Sequence, residues 1–199
     1  MEDRIPGFCA AHGYVTPERT YTPEMQWGHA FEDAVIRIAE SRRTMTAGRE
    51  ELHTAPGHEY VTCHIDGRYP DGALHEGKTT NSRAYFAKWG EEGTGRVPSD
   101  YQVQAQHQML CTGADAVIIT ALIFPVAQYE LHAMGWRIDE VPDDETPADG
   151  VVLRALSAED RLRWAHVLDE LGYVKQYTVE ANREAQERMI AEYEWFWNE

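Results

Sequence analysis

The sequence predicts an α/β fold: a central mixed β-sheet flanked by helices, with a long helical segment at the C-terminal end. Three observations lead there. Residues 22 to 43 carry apolar side chains at helical spacing, and residues 60 to 80 read as two alternating strands joined by a turn. Residues 116 to 124 (AVIITALIF) are continuously apolar, as in a strand buried on both faces. Helices and strands therefore follow one another in a layered order. A length of 199 residues suits a single domain, 1–199, with its core at about 20–141 and a helical region at about 151–199.

Thr22-Pro23-Glu24 opens the first helix, with threonine as N-cap and proline in the first turn. Trp27, Phe31, Ala34, Val35 and Ile38 form its apolar stripe, which runs out near Arg42-Arg43. Residues 44 to 57 are polar, broken by Gly48, Pro56 and Gly57, and read as a loop. From Tyr60 to Arg68, Val61, Cys63 and Ile65 alternate with Tyr60, Thr62, His64 and Asp66, as in one strand. A second strand is expected from about Ala73 to Thr80. The aromatics Tyr85, Phe86 and Trp89 follow, then a Gly-rich turn ending at Pro98. Ser99 or Asp100 caps a second helix, Tyr101 to about Cys111, closed by Gly113. After the apolar strand, residues 129–141 read as a further strand and residues 142–150 (PDDETPADG) as an acidic loop. From Ser157 onward the chain reads as helix, interrupted around Gly172-Tyr173.

With 43% hydrophobic and 26% charged residues, the composition is that of an ordinary globular protein. No run approaches the ~18 apolar residues of a membrane-spanning helix. The start, MEDRIPGFCAAHGYV, lacks the basic and apolar regions of a signal peptide, so a cytoplasmic setting is expected. Cys9, Cys63 and Cys111 lie too far apart for a disulfide framework or a cluster-binding spacing. No two histidines form a ligand-spaced pair for zinc. A net charge of −16 argues against broad nucleic-acid affinity, but it is unevenly spread. Residues 139–199 hold sixteen acids against six bases, a balance of −10, which leaves −6 for the rest. Between Lys78 and Arg96 the sign reverses, with Arg83 and Lys88 added against Glu91 and Glu92.

Within HIDGRYPDGALHEGKTT (residues 64–80), Asp66 and Asp71 compete to face Glu76. Proline, aspartate and glycine at 70, 71 and 72 suit a type I turn followed by a left-handed residue, which makes a three-residue hairpin loop with a bulge. Tyr69 then opposes Ala73, Asp66 opposes Glu76 and His64 opposes Lys78. Opposed side chains share a face with Cβ atoms ~5 Å apart, and Lys78 lies on that face too. A two-residue loop would instead set Asp66 against His75. Under the bulged register Asp71 sits at the turn tip, and Asp66 is the better partner for Glu76. Two adjacent carboxylates repel unless a cation neutralises them, so the pair is a candidate metal site; an ordinary surface hairpin is the alternative. Glu32 lies at the edge of the first helix's apolar stripe, and Gln104 faces the same way as Tyr101 and Gln108 on the second helix.

Taken together, these residues resemble the YqaJ-like viral recombinase family of PD-(D/E)xK nucleases, to which phage lambda exonuclease belongs. The matching motifs are Gly28-x-x-x-Glu32, Asp66-Gly67, Glu76-x-Lys78-Thr79-Thr80 and Tyr101-x-x-Gln104-x-Gln106-x-x-Met109-x-x-Thr112-Gly113, with Phe196-Trp197 at the end. The resemblance implies a restriction-endonuclease-like core and a metal-dependent DNA nuclease, above all a 5′-to-3′ duplex exonuclease in phage-type recombination. A site- or structure-selective endonuclease, RNA as substrate and a non-catalytic DNA-end-binding or assembly module remain alternatives. It further implies that Asp66, Glu76, the Gly77 carbonyl and Glu32 hold one or two Mg²⁺ ions, with Mn²⁺ as substitute. Lys78 would orient and deprotonate the attacking water, and Gln104 would support the site. Arg83, Lys88, Tyr101 and His64 are the candidate substrate contacts. Linear duplex ends, a single-strand annealing protein and a closed homo-oligomer around DNA are the implied partners, in the cytoplasm of a bacterial host. Two features depart from the pattern. Gly77 stands where the family has a larger apolar residue, which is expected to loosen the strand. The family's N-terminal grip on a 5′-phosphate has only Arg4 and Arg19 as candidates.

Overall fold

The computed structural model describes residues 22–48, 51–138 and 154–198. Helix α1 (Pro23–Arg42) begins where the sequence predicts, with the Thr22 hydroxyl accepting from Met25 N. Its stripe of Trp27, Phe31, Ala34, Val35 and Ile38 is buried. The main sheet has the order β1-β4-β5-β6-β9, with β1 Thr46–Ala47, β4 Gly67–Arg68, β5 Leu74–Asn81, β6 Ala116–Phe124 and β9 Val174–Glu180. Only β5 and β6 run parallel in it and the other pairs are antiparallel, so the sheet is mixed as expected.

Strand β6 is covered on both sides, which is why its sequence is continuously apolar. Leu122 and Phe124 pack with α1 and with α5 (Ala158–Glu170). Val117, Ile119 and Ala121 pack with α3 (Ser99–Thr112) and with Trp89, which follows the short helix α2 (Ser82–Lys88). Gly113 closes α3 at a φ of 72°, the left-handed position anticipated for it.

Four expectations need correction. The strand expected over Tyr60–Arg68 is two strands with different partners. Its first part, β3 (Thr62–Cys63), pairs with β2 (His53–Thr54) in a separate two-stranded sheet, while β4 joins the main sheet. Alternation of side chains is the same whichever partner a strand has, so the break at 64–66 leaves no mark in the pattern. For the same reason the loop expected at 44–57 contains β1 and β2. The strand expected over 129–141 is instead helix α4 (Gln128–Ala133) followed by β7 (Trp136–Ile138), and residues 139–141 lie outside the described residues. Gln128 and Leu131 are buried three apart, and Glu130 caps the first turn by accepting from Ala127 N, so a helical period wins over the strand-like composition. Finally, the C-terminal region is helical in α5 and in α6 (Arg183–Asn198), but between them lies β9, and it is preceded by β8 (Arg154–Leu156), which pairs with β7. Cys9, Arg4, Arg19 and the acidic loop at 142–150 lie outside the described residues.

Candidate functional site

The hairpin between β4 and β5 has the bulged register. Gly67 pairs with His75 and Arg68 with Leu74, while Tyr69 N donates to Ala73 O (2.8 Å) and Gly72 N to Tyr69 O (2.9 Å). Gly72 takes a φ of +90°, which the loop requires and a side chain would resist. Asp71 stands at the tip, more than half exposed, and its bond to Arg43 holds its carboxyl below the usual range. Asp66, not Asp71, is the aspartate beside Glu76.

The ladder stops at Gly67–His75, and the chain before it bends away from the sheet. Past that pair the Gly77 N–H donates to a side chain, Asp66 Oδ2, at 2.6 Å. In an antiparallel pair the N–H and C=O of one residue face the same neighbour, so the Gly77 carbonyl issues from this same opened edge. Glu76, 6% exposed, projects toward α3. Its Oε1 accepts from Lys78 Nζ and from Gln104 Nε2 (2.6 Å), and its Oε2 accepts from Gln108 Nε2 (2.5 Å). The Lys78 ammonium lies 5.1 Å from the centre of the Tyr101 ring, in cation–π range.

An open cavity of about 360 Å³ lies along this edge. It is lined from α1 by Gly28, Glu32 and Val35, from β5 by Glu76 to Thr79, and by Asp66 and Tyr101. Burial pushes the Asp66 carboxyl up to about 7, the charges of Glu76 and Glu32 add to this, and the Gly77 N–H and Lys78 oppose it. Burial pulls the Lys78 amine down, but the charges of Glu76 and Asp66 outweigh it and raise it above the usual lysine range. The site is thus a crowded, partly buried set of acids with one internal cation.

Carboxylate and carbonyl oxygens make a donor set for a hard divalent ion such as Mg²⁺ or Mn²⁺. An aspartate pushed up by burial and by fellow acids fits such a charge beside it. Among the described residues no three Asp, Glu, His or Cys side chains converge closely enough to share an ion. Glu76 is occupied by Lys78 and two glutamines, and Glu32 stays on the α1 side of the cavity with His29 Nδ1 at 3.9 Å. The fit is therefore one of composition and position, with side-chain closure still to be made.

Of the expected residues, the cavity brings together Glu32, Asp66, Glu76, Gly77, Lys78 and Tyr101, and Gln104 braces Glu76 from α3. Arg83 and Lys88 are exposed on α2, and His64 is exposed in the bend; none of the three lines the cavity. His75 points to the other face, as the register requires, and is fully buried. Strand β5 keeps its pairing with β6 through Gly77. A Cβ there would meet Val35 Cγ1 at 3.2 Å, tighter than ordinary contact, and Asp66 Oδ2 at 3.4 Å, so the missing side chain eases the approach of α1 to β5. Gln108 is the site residue that sequence reasoning left out, although it shares a helix face with Gln104. No helix among the described residues is long and apolar enough to cross a membrane.

A family model described as the YqaJ-like viral recombinase domain matches residues 9–115, more than half of the chain. Among solved structures, an alkaline exonuclease from Laribacter hongkongensis (LHK-Exo) is similar at 17% identity and a TM-score of 0.52, over 92% of this chain and 67% of that one. Its complex with dAMP is similar at 16% identity and a TM-score of 0.53, over 92% and 68%. A phage-related exonuclease from Haemophilus somnus 129PT is similar at 14% identity and a TM-score of 0.50, over 91% and 71%. At these identities the likeness is one of fold. No curated protein matches the sequence.

Proposed function

The chain belongs to the YqaJ-like viral recombinase family, and from that membership we propose that it is a divalent-metal-dependent DNA nuclease, a 5′-to-3′ exonuclease acting on linear duplex ends in phage-type recombination. The observation that carries this reading is the set Asp66, Glu76 and Lys78 on an open cavity, where among the described residues β5 has no strand partner beyond His75 on its β4 side. The exonucleases that share the fold support it. So does the LHK-Exo complex, in which a nucleotide is bound.

Asp66, Glu76, the Gly77 carbonyl and Glu32 are the residues that would hold the metal. A divalent ion so held would polarise the phosphodiester, acidify a water and stabilise the departing 3′-oxygen. Glu76 and Asp66 keep the Lys78 amine protonated, so it would orient that water and take its proton only once a dication beside it offsets those charges. The Tyr101 ring beneath the amine keeps it over the site. Gln104 holds Glu76 in place. Arg83 and Lys88, exposed on α2 a few residues beyond Lys78, and His64, exposed in the bend before Asp66, would contact phosphates of the strand outside the cavity. Linear duplex DNA, a single-strand annealing protein, assembly as a closed homo-oligomer and action in a host cytoplasm complete the reading.

The test is degradation of linear duplex with Mg²⁺, compared with closed circular plasmid. Wild-type protein is expected to release 5′-mononucleotides from the linear form only, and Lys78→Ala to lose activity by about 10²–10⁴-fold while still binding DNA. Nicking of intact circles would transfer the reading to an endonuclease. DNA binding without hydrolysis in any divalent metal would end it.

A further inference from the structure

Gln108 lies one turn after Gln104 on α3 and is 3% exposed. Its amide nitrogen donates to two acceptors, Glu76 Oε2 at 2.5 Å and the His64 main-chain carbonyl at 3.3 Å. The two oxygens of Glu76 are therefore held by different groups. Oε2 is fixed by a buried amide, while Oε1 receives Lys78, a residue of the cavity wall, together with Gln104. His64 stands two residues before Asp66, in the bend where β3 ends and the chain crosses to β4.

The amide has one orientation that works. The Gln108 carbonyl oxygen is buried and has no hydrogen-bond partner among the described residues, a state that is unfavourable in itself. Turning the amide over would not relieve it: the oxygen would face the Glu76 carboxylate and the His64 carbonyl, acceptor to acceptor, and the NH₂ would lose both its acceptors. The structure accepts an unsatisfied oxygen in order to present the NH₂ to Glu76 and His64 at once.

We propose that Gln108 is a positioning residue: it keeps Glu76 Oε2 inside the protein, so that Glu76 offers a divalent ion the single oxygen Oε1, and through His64 it ties this glutamate to the bend that carries Asp66. The proposal rests on the metal-nuclease reading above. Residues that orient a ligand from behind typically govern affinity and activity by about 10–100-fold without touching the ion.

Gln108→Met keeps the length and burial of the side chain and removes both donors. Mn²⁺ binding to the DNA-free protein, followed by electron paramagnetic resonance, is expected to weaken by about 10–100-fold in the variant. The Mg²⁺ requirement for DNA hydrolysis should rise by a similar factor, with the KM for DNA unchanged. An unaltered Mn²⁺ affinity overturns the proposal. A second measurement needs no variant. In ¹⁵N-labelled wild-type protein the Gln108 side-chain NH₂ signals should move as Mg²⁺ saturates the site, together with the Gly77 backbone amide. Gln108 signals that stay fixed while Gly77 shifts would also overturn it. A wild-type protein that binds no Mn²⁺ at all removes the metal-nuclease reading and this inference together, whereas normal wild-type binding with an indifferent variant removes this inference alone.

Discussion

His75 and Glu76 are neighbours on one strand, both buried, and they face opposite sides of the sheet with opposite consequences. His75 Nε2 and Thr120 Oγ1 share a hydrogen bond of 3.0 Å, and Gln176 Nε2 donates to the same hydroxyl at 3.1 Å. That chain links β5, β6 and β9 at the centre of a sheet whose main chain is paired on both sides. Glu76 looks out where the ladder with β4 has ended, and its neighbours are an acid, an ammonium and two amides. Burial of a polar residue is thus no mark of a site by itself. What separates the two sides is that His75 bonds across to the neighbouring strands, while beside Glu76 stands Asp66, an acid that burial and its neighbours push upward.

Changes on the two sides should therefore separate activity from stability. Asp66→Asn is expected to cost the largest factor, a loss of hydrolysis of about 10²-fold or more, comparable to removing a ligand-orienting or proton-handling group. Its metal-free melting temperature should not fall, because a neutral amide needs no counter-charge at a crowded buried position. A variant that melts well below wild type would mean that Asp66 is structural. His75→Leu reverses the pattern. It removes a buried hydrogen bond to Thr120 and is expected to cost about 1–3 kcal/mol in urea unfolding. Activity per folded molecule should stay within about twofold of wild type, the near-neutral outcome for a change away from the reacting groups. Gly77→Val tests the seam between the sides. Its Cβ would press on Val35 and Asp66, so a loss of about 1–3 kcal/mol should come together with a rise in the Mn²⁺ concentration needed for half-maximal activity.

The charged side was legible in the sequence because its geometry is set locally. Pro70-Asp71-Gly72 determines the turn and the turn the register, which holds as far as Gly67–His75. Just past that pair Asp66 lies beside Glu76 and bonds Gly77 N, while the expected opposition of His64 and Lys78 is not formed. The stripe of α1 and the double-sided apolar run of β6 were legible for the same reason, since each is a periodic pattern within one segment. The parts that escaped depend on partners far away in the chain. A strand that changes partner at residues 64–66 looks like a continuous one. Gln108 reads as one of several polar residues on α3 until Glu76, 32 residues earlier, is seen to lie beneath it. Strand β9 is a different case: Val174, Tyr177 and Val179 carried a β-rich signal, which the helical periodicity on either side of it outweighed.

The smallest expected effect is the one that discriminates best between the two aspartates of the hairpin. Asp71 belongs to the residue pair that spells the family motif's usual name, yet it is exposed at the turn tip, where its carboxylate pairs with Arg43 and accepts from Ala73 N at 3.3 Å. Arg43 also stacks over Tyr69, with its guanidinium carbon 4.7 Å from the ring centre, so it keeps a contact if the ion pair is lost. An exposed pair of this kind is screened by solvent and salt. Asparagine suits the same turn position and can still accept from the main chain two residues on. Asp71→Asn should therefore leave hydrolysis, Mn²⁺ affinity and melting temperature at wild-type values, side by side with the inactive Asp66→Asn. A loss of metal binding in Asp71→Asn would mean that the turn tip folds over the cavity when the ion binds, and the two aspartates would then have to exchange their assigned roles.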